Sequence, residues 1–503
     1  MPVLGLADVS GIQRFLFRQP ELQNIALASR RIESFGNTNG LFHSLKTRCI
    51  MAAGGNAAFI ASTRAELQTA FRRLSRTLLE QGEGLEVIVC IEDYENDSLP
   101  QAYQRALGSL DKEKLRQPRN SNFQFSGLTA GLPHPPPTAQ PLPARRYGLQ
   151  EPNEFRNLIC LSTEASDLMA VVSIDGIGMG QKLHSWLQGW QRSPPDDEKF
   201  IREFHLWSEH LKARWHAAWE TARVALENAF DAKRGFELDH PYQLGRKLWL
   251  KAQGEPLGSQ LPFLPCRRIY QGGDDLSFVC DARIALSLTD ILLRALRDLP
   301  APDDIPRLFG SVPASAGIVF VSSHFPFARA IQLADMVRTR AKKKAMDEAG
   351  QNGTPVPTLS WWVNRAGATT MPVPSFVGAS QKPYLLHSSS LVSWESLDQT
   401  MMPGLWNTFG EARGKWKRVI AAAAEGNRGE AVKRLLRLTP LRRGADRTDQ
   451  GVNTRPFAWA APYNAESGFN SSGTVLLDLG ELFDIHFPFG QHRSDRPKEV
   501  QGT

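Results

Sequence analysis

Asp274 and Asp275 stand side by side behind Gly272 and Gly273 in the run RRIYQGGDDLSFVCD at 267–281. Apolar, β-branched stretches flank these four residues, so the pattern predicts a hairpin with the glycines and carboxylates at its turn. Glycines accept the positive φ of a tight turn and let a phosphate chain approach the backbone. Hard carboxylate oxygens suit Mg²⁺ or Mn²⁺. A bare Gly-Gly-Asp is an ordinary turn in any β protein, so the surroundings must decide. Upstream, DLMAVVSIDGIGMGQKL at 167–183 reads as a buried strand from Leu168 to Ile174 running into Asp175, with Gly176 opening a glycine-spaced turn into a helix. Ser173 and Asp175 are two apart and share one face of that strand. If Asp175 swings in beside Asp274 and Asp275, three carboxylates could hold two metals. If it does not, the pair holds one, weakly, because the Ser173 hydroxyl is a poor substitute for a carboxylate around Mg²⁺. Such a site suits phosphoryl transfer from a nucleoside triphosphate.

The elements that would position these groups follow in order. Downstream, residues 313–346 read as a strand, a loop with Pro326 near a helix start, and a helix ending in Ala341, Lys342, Lys343 and Lys344. Strand, helix, hairpin, helix, strand and helix make the βαββαβ order of a ferredoxin-like unit. Between the two carboxylate motifs, residues 200–236 form a long helical insertion whose apolar residues Leu206, Leu211, Trp215, Trp219, Val224, Leu226 and Phe230 recur at core-packing spacing. His205, His210 and His216 on that helix do not share a face, which argues against a metal site there.

YQGGDDLSF, the SAGIVF strand followed by HFPFARAIQLA, and the closing Ala341-Lys342 pair resemble the second palm of the large subunit of type III CRISPR effector complexes, a family of double-palm polymerases. GGDEF nucleotidyl cyclases are more distant relatives. LADVSGIQRFLFRQPELQNIALASRRIESF at 6–35 resembles the opening of the same family's first palm, and MAAGGNAAFIAS at 51–62 falls where that palm carries a carboxylate-free Gly-Gly hairpin. The resemblance implies ATP as substrate, cyclic oligonucleotide products used in antiviral defence, and Mg²⁺ or Mn²⁺ held by Asp175, Asp274 and Asp275. Lys342 would lie on the last turn of its helix and stabilise the leaving pyrophosphate. Without the resemblance, Lys342 to Lys344 read as a solvated helix end. Gly272, Gly273, Gly176 and Ser173 would contact one nucleotide, and Ser10 and Gly11 another. Asp275 would be a further ligand or take the proton of the attacking hydroxyl. The family's first strand usually ends Asp-x-Asp, and here Ser173 replaces the first acid. That substitution permits an alternative, a degenerate palm scaffold that binds nucleotide or RNA and partner subunits.

Composition bounds the rest. A chain of 503 residues with 42% hydrophobic residues is long enough for several cores. No run is long and apolar enough for a membrane span, and MPVLGLADVSG reads as a strand and not a signal segment, so a cytoplasmic location is expected. Cys49, Cys90, Cys160, Cys266 and Cys280 form no CxxC pair, which predicts reduced thiols and no zinc element. No HD nuclease domain is expected before the first palm. The net charge of +7 is unevenly spread. Arg413, Lys415, Lys417, Arg418, Lys433, Arg434, Arg437, Arg442, Arg443 and Arg447 lie on two expected helices that could meet RNA or an effector subunit, or form a solvated face over Trp406 and Trp416.

The expected fold is α+β, with two tandem ferredoxin-like palms. The first, degenerate palm takes 1–125 and a proline-rich linker 126–165. The second, GGDD palm takes 166–369 with a helical insertion at 198–260, and a mainly helical C-terminal region takes 370–503.

Overall fold

The computed structural model of the protein describes residues 2–116, 168–364, 382–387, 393–424 and 475–489, apart from short stretches inside these ranges. The proline-rich segment, Gly11, Cys160 and the basic residues from Lys433 to Arg447 lie outside the described residues.

Two main sheets carry the fold. The first is antiparallel and contains β1 (Val3–Ser10), β2 (Arg48–Ala53), β3 (Asn56–Ala61) and β4 (Glu86–Asp93) in the order β2-β3-β1-β4. Helices α1 (Ile12–Leu16) and α2 (Leu22–Ser34) precede β2, α3 (Arg64–Glu80) precedes β4, and α4 (Leu99–Arg116) follows it. The second sheet begins with β5 (Leu168–Gly176), followed by α5 (Met179–Gln191) and α6 (Asp197–Ala229). A small separate pair, β6 (Glu237–Asp239) and β7 (Lys247–Trp249), comes next. Then come β8 (Cys266–Gly272), β9 (Asp275–Asp281), α7 (Ala285–Asp298), β10 (Ala314–Ser322), α8 (Phe327–Asn352), β11 (Thr358–Val363) and β12 (Tyr384–Leu385). Their order is β12-β11-β10-β5-β9-β8. Counted within each unit and leaving out β6 and β7, both sheets contain the sequence second, third, first, fourth, and β11 and β12 extend the second sheet beyond its fourth strand.

The α6 helix starts where Asp196 accepts a hydrogen bond from the Lys199 amide at 2.9 Å, with Asp197 and Glu198 in its first turn against the positive end of the helix dipole. Its buried face carries Phe200, Phe204, Trp215, Trp219 and Leu226. Among the described residues the expected insertion at 198–260 is helical to Ala229. Beyond it the β6–β7 hairpin forms, with Leu238 turned into the core and Pro241 barring a continuous helix. The C-terminal region is helical in α9 (Met402–Phe409), α10 (Arg413–Ala424) and α11 (Val475–Leu482). It also contributes a strand, because Tyr384 of β12 stacks on Trp361 of β11 with ring centroids 5.5 Å apart. Trp406 and Trp416 are buried beside the second sheet, while Lys415, Lys417 and Arg418 are exposed.

Alternation along the strands sorts side chains between cores. One core joins the two units, with Val9, Phe35 and Phe71 of the first against Met169, Val171, Val319 and Ile331 of the second. Ala170, Val172 and Ile174 of β5 point the other way, toward α6 and α7. Among the described residues no helix is long and apolar enough to cross a membrane, and Cys49, Cys90, Cys266 and Cys280 are free thiols.

Candidate metal and nucleotide site

On one face of β5 the residues run Met169, Val171, Ser173, Asp175. The first two enter the core shared by the units. The last two meet α8, so the face turns from apolar to polar as the strand approaches the hairpin. Asp175 lies opposite Asp275 of β9, and Ser173 lies between Ser277 of β9 and Gly317 of β10. The hairpin turns at Gly273, whose φ of 61° suits glycine. Its fold brings Asp274 against the end of β5, where the Gly176 amide donates to the Asp274 carbonyl at 2.9 Å. A Cβ at Gly176 would sit 2.8 Å from Met179 Cγ and 3.1 Å from Asp274 Cβ, so a glycine lets strand and turn close up.

Carboxylate oxygens of Asp175, Asp274 and Asp275 all fall within 4.8 Å of one another. The expected trio is thus brought together. Burial, and then the charge of Asp175, raise the proton affinity of Asp274. Burial, followed by the charges of Asp175 and Asp274, raises that of Asp275, although its side chain keeps 45% of its surface exposed. Asp274 and Asp275, whose charged forms are disfavoured beside Asp175, complete with it a donor set that a divalent cation would relieve, and oxygen-only ligation fits Mg²⁺ or Mn²⁺.

Two cations from α8 already lean on the trio. Lys342 Nζ donates to Asp175 Oδ2 at 2.5 Å. Arg338 Nη1 lies 3.1 Å from Asp175 Oδ2 and 3.0 Å from Asp275 Oδ1. Lys342 is not on the last turn. The helix runs on to Asn352, since Ala345, Met346, Glu348 and Ala349 are good helix formers, and the helix-end alternative for Lys342 falls with that boundary. Sequence reasoning missed Arg338 and Asp335. Both precede Lys342 on its own face, four and seven residues back, a spacing visible in LADMVRTRAKKK. Asp335 Oδ1 accepts a hydrogen bond from Ser173 Oγ at 2.6 Å and lies 3.6 Å from Arg338 Nη2.

On the hairpin's other side a cavity of about 380 Å³ is lined by Glu33 and Gly36, by Lys212 and His216 of α6, and by Arg268, Gln271, Gly272 and Gly273. It touches both turn glycines, while the carboxylates stand outside its lining. Glu33 accepts from Ser29 Oγ at 3.1 Å and the Gln271 amide at 3.3 Å, and burial raises its proton affinity against the opposing pull of Arg268. Ser10 ends β1 half-buried, in register with Glu86 of β4. The first unit's hairpin turns at Gly55, with φ of 98°, and presents Asn56 where the second presents Asp275.

No protein-family model and no curated protein sequence matches the chain. Solved structures do. A crystal structure of a Csm1–Csm4 cassette in complex with cA4 matches with a TM-score of 0.55 at 14% identity, over 96% of this chain and 69% of that one. The cassette in complex with one ATP gives the same TM-score, identity and coverage. With AMPPNP the TM-score is 0.51 at 15% identity, over 88% of this chain and 66% of that one. In fold, the chain is similar to the Csm1 large subunit of type III CRISPR complexes.

Proposed function

We propose that this chain is a metal-dependent nucleotidyltransferase that joins ATP into a cyclic di- or oligonucleotide, working beside a Csm4-like subunit in an RNA-guided antiviral complex in the cytoplasm. In this reading residues 1–125 and 166–369 are two ferredoxin-like palms, the first without an acidic hairpin. The observation that carries the proposal is the convergence of Asp175, Asp274 and Asp275 within 4.8 Å at a Gly-Gly hairpin. Structures of similar fold that contain ATP, AMPPNP and cA4 support it.

Asp175 and Asp274 would hold Mg²⁺ or Mn²⁺, which supplies charge neutralisation at the α-phosphate when bound. The cavity beside Gly272 and Gly273 has room for a nucleoside, and the glycines let the phosphates pass close to the backbone. Asp275, half-buried and with raised proton affinity, suits acceptance of the proton from the attacking 3′ hydroxyl. Lys342 and Arg338 would exchange their carboxylate partners for triphosphate oxygens and stabilise the pyrophosphate as it leaves. Ser10 and Gly11 would border a second nucleotide.

A scaffold without catalysis is the second reading, favoured by one observation: Arg338 already bridges Asp175 and Asp275. Incubation of the protein with Mn²⁺ and labelled ATP separates the two. Product from the parent, and none from a variant carrying Asp274→Ala and Asp275→Ala, supports the enzyme; no product from either supports the scaffold.

A further inference from the structure

Cys266 of β8 enters the core beneath α6 and α7, and regular alternation along the strand would send Arg268 and Tyr270 to the same face. A bulge intervenes. Arg268 pairs with Phe278 and Tyr270 with Ser277, which leaves Ile269 as an extra residue on β8. Ile269 is buried in the core shared by the two units, and Tyr270, half-buried, packs against that same core. The bulge thus turns the phenol onto the face of the sheet that carries Ser173, Asp175 and Asp275. There it leans toward the turn. A Cβ at Gly272 would lie 2.1 Å from the Tyr270 hydroxyl oxygen, so the hydroxyl occupies the place of the side chain that Gly272 lacks. Gly272 is in register with Asp275, and Asp275 with Asp175. Side chains paired across strands in this way stand about 4.5 to 5.5 Å apart, so the phenol hydroxyl, Asp275 and Asp175 form one row across β8, β9 and β5. Lys342 holds the Asp175 end of the row. At the other end α2 of the first unit packs on β8. Burial, followed by the charges of Asp275, Glu33, Asp274 and Asp8, raises the proton affinity of the phenol and keeps it a neutral donor. Among the described residues nothing accepts its proton.

We propose that Tyr270 holds the attacking ribose, with its hydroxyl bonded to the 2′ hydroxyl of the acceptor nucleotide. This deepens the nucleotidyltransferase reading and rests on it. In-line displacement sets attacker and leaving group on opposite sides of the phosphorus. Lys342 and Arg338 draw the pyrophosphate toward α8, so the attacker comes from the β8 end of the row, where Tyr270 stands. That end suits an uncharged sugar. The charges of Asp8, Glu33, Asp274 and Asp275 that bear on the phenol repel a phosphate chain, whereas a ribose hydroxyl can accept from the phenol and donate to an acid. With the 2′ oxygen gripped, the neighbouring 3′ hydroxyl is left beside Asp275. The 3′ oxygen then bonds to the α-phosphorus, the bond to pyrophosphate breaks, and the 3′ proton passes to Asp275.

The test gives each substrate one role. Labelled 3′-deoxy-ATP, which cannot attack, serves as donor with Mn²⁺, and α,β-methylene-ATP, which cannot donate, or its 2′-deoxy form serves as acceptor. Tyr270→Phe should lower kcat/KM for the acceptor about tenfold, the loss of one hydrogen bond, with the donor KM and the melting temperature unchanged. In the parent the 2′-deoxy acceptor should lose a similar factor, and in Tyr270→Phe it should lose nothing further, because both changes remove the same contact. Losses that multiply, an unchanged acceptor constant in Tyr270→Phe, or an equal rise in the donor KM would overturn the proposal and leave the hairpin trio standing. No product from the parent, with these pairs or with ATP alone, would sink the underlying reading as well.

Discussion

The two sheet units share a strand order, and they also share an ion pair. In the first, Lys114 of α4 reaches Asp8 of β1 at 2.6 Å. In the second, Lys342 of α8 reaches Asp175 of β5 at 2.5 Å. Each lysine stands fifteen residues into the helix that follows its unit's fourth strand, counted from Leu99 and Phe327. Each aspartate lies opposite the first residue after its unit's hairpin turn, Asn56 in one and Asp275 in the other. The rest has diverged. At the helix positions equivalent to Asp335 and Arg338, the first unit has Leu107 and Leu110, and its hairpin lacks acids. An aspartate and lysine alone make a partly exposed pair of small net worth. In the second unit further acids crowd the aspartate, and burial together with the neighbouring carboxylate charges raises the proton affinity of Asp274 and Asp275.

The comparison breaks most sharply at the aspartates. Asp175→Ala should lower product formation at least a hundredfold, about 2.7 kcal/mol of transition-state stabilisation, measured with labelled ATP and Mn²⁺. Asp8→Ala should change it less than about threefold, since an exposed pair contributes about 0 to 1 kcal/mol. Equal losses would mean that the first unit is not degenerate.

Next come the cations. Arg338→Ala, which removes the guanidinium from among the acids, should tighten Mn²⁺ binding about tenfold in the absence of nucleotide and weaken ATP binding. Unchanged Mn²⁺ affinity in calorimetry would show that Arg338 does not compete for the site.

Protons sharpen the contrast further. The Asp275 carboxyl is raised from 3.8 to about 8, and ligand carboxylates must lose their protons to bind a metal. Mn²⁺ affinity should therefore climb as pH rises from about 6 to about 8 and level off above that. A flat profile over that window would contradict the crowding of the three acids.

The smallest effects concern the helices. Gly108, inside α4, has nothing within 4 Å of an added Cβ, so Gly108→Ala should stabilise the fold by about 0.5 to 1 kcal/mol. Gly317→Ala faces backbone atoms at 2.2 Å and should lower the melting temperature and loosen Asp335. Chemical denaturation of both variants checks the pair.

Much of the site was legible in the residues because its parts are local. A Gly-Gly turn between β-branched runs can do little but form a hairpin, and an aspartate ending an apolar strand must emerge at the strand's end. Asp335 and Arg338 were not legible for the opposite reason. Their roles depend on how deeply α8 settles on β10, a depth set by Gly317, which is separated from them in sequence and inconspicuous in SAGIVF. The end of the α6 region was misjudged because helical periodicity persists to Ala229 and gives no hint of the β6–β7 pairing, a tertiary outcome. The same limit applied to β12, whose two residues become a strand only because Tyr384 finds Trp361.

The central claim, that acids from β5 and the β8–β9 hairpin grip a divalent cation, is tested most directly by anomalous diffraction from crystals holding Mn²⁺ and a non-hydrolysable ATP analogue. The account predicts a manganese peak coordinated by Asp175 and Asp274, with the nucleotide's phosphates at Gly272 and Gly273. Ordered nucleotide with no manganese peak at those carboxylates would contradict it.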